Sequence, residues 1–210
     1  MHKHEEAGRL LALERKNEVV VPNKENTFKA FLECPMDDVK VMFVGQDPYP
    51  KYTQATGLAF GIDINKCNPP FSLKALIQEL ENDLDVLALC PDYSLTSWAN
   101  QGVLMLNTAL TLRRGAIGSH LHIWKPVMRD LLEAISERFP DLVVVAVGKK
   151  AESSLEELFP DRIAIVHPAA EAYSGGKAGF YGCKIFSKVN QQLIEKGKDP
   201  INWIKDWKQE

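Results

Sequence analysis

Four short apolar runs, at residues 41–44, 103–106, 142–147 and 163–166, each stop at an abrupt break. They are rich in Val, Ile and Leu and are only strand-length, so each reads as a strand buried on both faces. Between them lie longer amphipathic stretches that predict helices from about 72 to 83, 123 to 138, 149 to 158, and from beyond Gly182 to about 196. Shorter helices are expected at 5–16, 25–33 and around Trp98, and Ser72 is placed to N-cap the 72–83 helix. Residues 57–61 read as a short extended piece pinned by Gly57 and Gly61. Strands alternating with helices imply an α/β fold, a parallel sheet covered on both faces. With 210 residues and 45% hydrophobic content, the chain is expected to form one globular domain over 1–210 with a three-layer core.

The net charge of −3 gives no overall basic signal, so contact with a polyanion has to come from a local patch. Charge is spread unevenly. Residues 93–129 contain Arg113, Arg114, Lys125 and Arg129 but no acid, and residues 172–194 contain Lys177, Lys184 and Lys188 but no acid. Acids gather at Glu79, Glu81, Asp83 and Asp85 and at Glu152, Glu156 and Glu157, runs that read as solvated helix faces. Cys34, Cys67, Cys90 and Cys183 form no C-x-x-C pair, so reduced thiols are expected and no metal site. His2 and His4 read as part of a frayed terminus. No signal peptide and no membrane-length apolar run is evident.

In a parallel sheet the carboxyl ends of the strands share one edge, where ligands bind. Here Asp47, Asn107, Gly148 and His167 follow closely on the four apolar runs. Gly45 breaks the first run. Pro48 and Pro50 then stiffen the loop around Asp47 and Tyr49, which suits a carboxylate that must be held rigidly. Each residue alone has an ordinary explanation: Asp47 as part of an Asp-Pro turn, Asn107 as a turn former, His167-Pro168 as a strand terminator. Four such residues at four strand ends favour a shared site.

The same residues carry a resemblance. Gly45-Gln-Asp-Pro-Tyr49, Gly57-Leu-Ala-Phe60, the segment from Trp98 to Asn107, and His167-Pro168 resemble the signature of family 1 uracil-DNA glycosylases. The likeness continues through Gly179-Phe-Tyr-Gly182 to Pro200-Ile-Asn-Trp203, spanning roughly residues 20–205 in the family's order. It implies a three-layer α/β/α fold around a four-stranded parallel sheet, and an enzyme that flips uracil out of DNA and hydrolyses its N-glycosidic bond. Phe60 would stack on the base, and Asn107 would read its Watson–Crick edge. Tyr49 would exclude a 5-methyl group. Asp47 would stabilise the sugar cation and position water, while His167, with the Gln46 backbone N–H, would stabilise charge on uracil O2. No metal or cofactor is implied.

Four places depart from the family pattern, all in segments that grip DNA. Pro50 stands where His is usual, the proline-rich loop is reduced to residues 68–72 ending in Ser72, and Lys149 replaces a serine. Residues 169–172 replace Ser-Pro-Leu-Ser, so Glu171 aligns with the wedge leucine that fills the gap left by a flipped base. A carboxylate in that place predicts a preference for single-stranded DNA, unless Tyr173 in the lengthened loop takes the role. Lys177 falls in the acid-free stretch beside it. The expected partner is uracil-containing DNA, single- or double-stranded, and a proteinaceous glycosylase inhibitor is a further partner the family allows. A monomer is expected. Localisation would be cytoplasmic and nucleoid-associated in a bacterium, or the host-cell DNA compartment for a virus. The altered grip leaves an alternative, a DNA-binding or replication-accessory protein of the same fold with weak or no activity. A nucleotide hydrolase is disfavoured, because no glycine-rich phosphate loop opens a helix.

Overall fold

The computed structural model describes residues 3–205. The chain runs through α1 (Lys3–Asn17), β1 (Val20–Val21), α2 (Lys29–Glu33), β2 (Val41–Gly45), α3 (Phe71–Leu84), α4 (Thr96–Ala99) and β3 (Val103–Asn107). It continues through β4 (Leu112–Arg113), α5 (Leu121–Arg138), β5 (Val143–Val147), α6 (Lys149–Leu155), β6 (Ile163–Ile165), α7 (Ala170–Ser174) and α8 (Ile185–Glu195). Four strands make the expected parallel sheet, in the order β3-β2-β5-β6, flanked by helices. Val41 lies opposite Val103 and Val143, and Gly45 lies opposite Asn107, so β2 and β3 end at the same level. That register puts their exit loops side by side.

Every residue of β2, β3 and β5 is buried, as continuous apolar strands of a covered parallel sheet should be. The fourth run behaves differently. β6 pairs only with β5 and forms the sheet edge; Ile163 and Ile165 are half-buried and Ala164 is exposed. Apolar composition alone does not distinguish an edge strand from a central one.

Other expectations need correction. Residues 57–60 form a turn rather than an extended piece, with Phe60 at φ 64°. Helix α3 starts at Phe71 with Pro70 in the cap position, so Ser72 lies inside the first turn and caps nothing. The predicted helix at 25–33 begins only at Lys29. His4 is not frayed: with Lys3 it reaches Asp130 of α5, at 2.9 and 3.3 Å. His2 and the terminal Trp207 lie outside the described residues. The antiparallel pair β1–β4, which joins Val20 to Arg113, was not legible in so short a run.

The acidic runs are not simply solvated faces either. Glu79 is fully buried on α3 and accepts the backbone N–H groups of Gly182 (2.6 Å) and Lys184 (2.8 Å). Asp83 accepts the N–H and hydroxyl of Ser187 at 2.8 and 2.6 Å. These charge-assisted bonds satisfy donors at the start of α8 and fasten it to α3. Behind them, Trp98, Phe186 and Trp203 meet edge to face at 5.1–5.6 Å, with Trp98 Nε1 donating to Trp203 O. The C-terminal segment at Trp203 is thus part of the core. No described helix is long and apolar enough to cross a membrane.

Candidate active site

The exit of β2 is tied to the exit of β3 by backbone bonds. Thr108 N–H donates to Gly45 O, and Ala109 N–H and the Thr108 hydroxyl donate to Gln46 O, at 2.9–3.0 Å. The loop that carries Asp47 is therefore fixed at its root, as two nearby prolines already imply from sequence. One cavity of about 330 Å³ opens there, lined by Gln46, Asp47, Tyr49, Pro50, Phe60, Ser72, Asn107 and His167 among others. Eight residues singled out from sequence thus share one wall.

Asp47 Oδ2 takes two donors, the side-chain amide of Gln46 and the backbone N–H of Gly118 at 3.0 Å. Its Oδ1 is buried and has no partner among the described residues. Burial pushes the Asp47 carboxyl above its ordinary pKa, and the two hydrogen bonds oppose that rise. The Gly118 contact spans 71 positions and was not legible in the sequence, where Gly115 and Gly118 only punctuate a loop. That loop also brings Ile117 to the cavity, and its Gly115 N–H is anchored on Pro50 O at 2.9 Å.

His167 Nδ1 accepts the N–H of Ala169 at 3.1 Å, so the proton of the neutral ring sits on Nε2. Burial lowers its pKa, which keeps the ring neutral near pH 7. The ring lies 5.7 Å from that of Phe60, and a Cβ at Gly148 would stand 3.1 Å from His167 Cβ and 3.7 Å from its ring. Phe60 holds a left-handed backbone conformation, costly for an aromatic residue, and the turn is braced by Ala59 N–H on Met105 O. Asn107 is buried, yet its side-chain amide has no partner among the described residues. Tyr49 and Ser72 share a hydroxyl–hydroxyl bond of 3.0 Å. Burial raises the Tyr49 phenol well above its usual range, so it stays protonated. Ser72 is buried rather than presented to a DNA backbone.

Lys149, Tyr173 and Lys177 lie outside this cavity, all exposed. Glu171 overturns its expected position. It is only 2% exposed, and its carboxylate accepts N–H groups from Ala178 (3.0 Å), Phe180 (2.5 Å) and Tyr181 (3.1 Å) and the Ser174 hydroxyl (3.2 Å). Burial alone would raise its pKa, but these donors win and hold it below the usual carboxylate range. Glu171 is the clamp of its own loop, turned inward rather than presented at the surface. Glu171→Leu is expected to lower Tm, because buried N–H groups lose their acceptor. An unchanged melting curve would show that the loop does not depend on it. Among the described residues, no group of three His, Cys, Asp or Glu side chains is arranged to hold a metal ion.

The fold and the cavity together define an α/β protein whose polar groups gather at the carboxyl rim of a four-stranded parallel sheet. The family model of the uracil DNA glycosylase superfamily matches residues 31–194, and the chain belongs to that superfamily. The structure of mimivirus uracil-DNA glycosylase is 27% identical with a TM-score of 0.82, over 93% of this chain and 79% of that one. A variant of mimivirus UNG in complex with UGI is 26% identical with a TM-score of 0.85, over 97% of this chain and 83% of that one. The UNG of Nitratifractor salsuginis shares the fold at 19% identity and a TM-score of 0.64, over 88% and 83% of the two chains.

Proposed function

We propose that the protein extrudes uracil from DNA and hydrolyses its N-glycosidic bond, leaving an abasic site. The observation that carries this reading is the bare, buried Oδ1 of Asp47 in the same cavity as the unpartnered amide of Asn107 and the neutral imidazole of His167. An amide offers a donor and an acceptor to the edge of uracil, and cytosine, with the opposite pattern, leaves both unpaired. As the bond breaks, its electron pair departs with the base. His167 Nε2–H meets the negative charge developing on the uracil oxygen. Asp47 faces the positive charge on the sugar, and Oδ1 orients the water that adds to C1′. Family membership and the mimivirus structures support the reading, and the complexes with UGI support an inhibitor as a further partner.

Base choice is assigned to Tyr49, whose ring is held by the Ser72 hydroxyl. Tyr49→Ala is expected to permit slow release of thymine, and Ser72→Ala to do so more weakly while uracil release stays within a few fold. Failure of Tyr49→Ala to act on a thymine oligonucleotide that it binds would remove the gate.

With Glu171 turned inward, the expected preference for single strands loses its basis. Tyr173 is 91% exposed on α7, six residues beyond His167, and is the side chain proposed to enter the stack when a base leaves it. Tyr173→Ala should slow duplex cleavage by about tenfold or more, since unstacking costs a few kcal/mol, and should leave single-strand cleavage nearly intact. Equal effects on both would place the wedge elsewhere.

The function itself is tested with an end-labelled oligonucleotide containing one uracil, incubated with the protein and then treated with alkali. Strand scission only after alkali is the expected result. Tight binding without any alkali-sensitive site would favour the accessory-protein reading instead.

A further inference from the structure

A second groove starts where the first site ends. It has a volume of about 480 Å³ and is lined by Thr108, His122, Lys125 and Lys150 over a floor that includes Met128 and Leu132. Thr108 follows Asn107 directly and is bonded to the loop that carries Asp47, so the groove adjoins the rim of the catalytic cavity. Its walls are α5 and α6, and α6 begins immediately after Gly148 at the end of β5. His122 and Lys125 lie in the first turns of α5, and Lys150 lies in the first turn of α6.

The charge of this groove is graded. His122, Lys125 and Lys150 are exposed, and among the described residues none has an ion-pair partner. Farther along α5, Arg129 is bound to Glu133 at 2.8 Å and to Glu157 at 3.3 Å, and Glu157 is the one carboxylate among the described residues that lines the groove. Unbalanced positive charge is therefore concentrated in the first turns of the two helices. His122 and Lys125 belong to the acid-free stretch at 93–129, and Lys150 joins them from α6, in a chain whose overall charge is −3.

We propose that the groove between α5 and α6 is a track for the substrate strand itself, taking its phosphates on Lys125 and Lys150 and its sugars on the aliphatic floor. The proposal rests on the glycosylase reading for the identity of the strand. A track leaves the pocket in one direction, so phosphates on one side of the uracil should feel these lysines and those on the other side should not.

The test uses Lys125→Gln/Lys150→Gln, which leaves the catalytic cavity untouched. Each phosphate neutralised on a single strand contributes about −0.7 to the slope of log K against log [salt]. For a uracil-free single strand of about 15 nucleotides, the double variant should flatten that slope by about 1.4. A uracil trinucleotide, too short to enter the groove, should be cleaved at the unmodified rate. Among oligonucleotides extended only 5′ or only 3′ of the uracil, one alone should lose affinity. An unchanged slope, or equal losses for both extensions, would overturn the track. Failure of the unmodified protein to cleave any uracil oligonucleotide would instead refute the glycosylase reading, and the slope on uracil-free DNA would still judge the groove.

Discussion

Asp47→Asn is expected to slow single-turnover release of uracil by roughly 10²–10⁴-fold, the range for a group that acts on charge in the transition state. Binding to uracil DNA should change far less. The variant keeps the shape of the side chain but loses the charge that faces the sugar. Its remaining oxygen would keep the Gln46 amide and the Gly118 N–H as donors, which puts the new NH₂ at the Oδ1 position, where it cannot accept a hydrogen bond from water. His167→Leu should have an effect of similar size, because it removes the one Nε2–H available to the departing base. The pH profile separates their roles. Asp47 must be ionised, and burial raises its pKa from 3.8; His167 must be neutral, and burial lowers its pKa from 6.5. Both signs make the rate fall as pH drops through the acid range and stay level above about pH 6.5. In His167→Leu the imidazole's share of the acid limb should vanish. A rate that instead declines as pH rises through the histidine's pKa would mean the ring works as a cation, and the mechanism would need rewriting.

The parts of this site that were legible in the sequence depend on local chemistry. β2, β3 and β5 were visible because a strand covered on both faces must be apolar throughout. Asn107 was visible because it ends such a run, and Asp47 and His167 because each comes within three residues of the end of an apolar run. What stayed hidden depends on partners distant in sequence. The carboxylates of Glu79 and Asp83 read as surface charge, and they serve backbone donors at the start of α8, about 104 residues away, while Glu171, aligned with a wedge, serves backbone donors of its own loop. Nothing in a sequence reports which N–H groups a fold leaves unpaired, so an inward carboxylate looks like an outward one. Alignment with a leucine gave Glu171 a position along the chain but not a direction. The support from Gly118 to Asp47 was hidden for the same reason.

Gly45→Ala tests the least obvious of these constraints. From sequence, Gly45 reads as the residue that ends a strand, but it is the last paired residue of β2, opposite Asn107. Its backbone is not left-handed, so alanine is not strained there. The reason for glycine is space: a Cβ would stand 2.6 Å from Asn107 Oδ1 and 3.4 Å from Phe60 Cε2. A side-chain oxygen can move where backbone cannot, so the variant should fold with a small change in Tm. The Asn107 amide, proposed to read uracil, would be displaced by several tenths of an ångström or more, and misplacement on the order of 1 Å costs about 10²-fold in rate. Uracil release should therefore fall by about that factor. The loss should shrink sharply in an Asn107→Ala background, because the two substitutions then act on the same contact. If folded Gly45→Ala cleaves at the unmodified rate, the amide of Asn107 is not what holds the base.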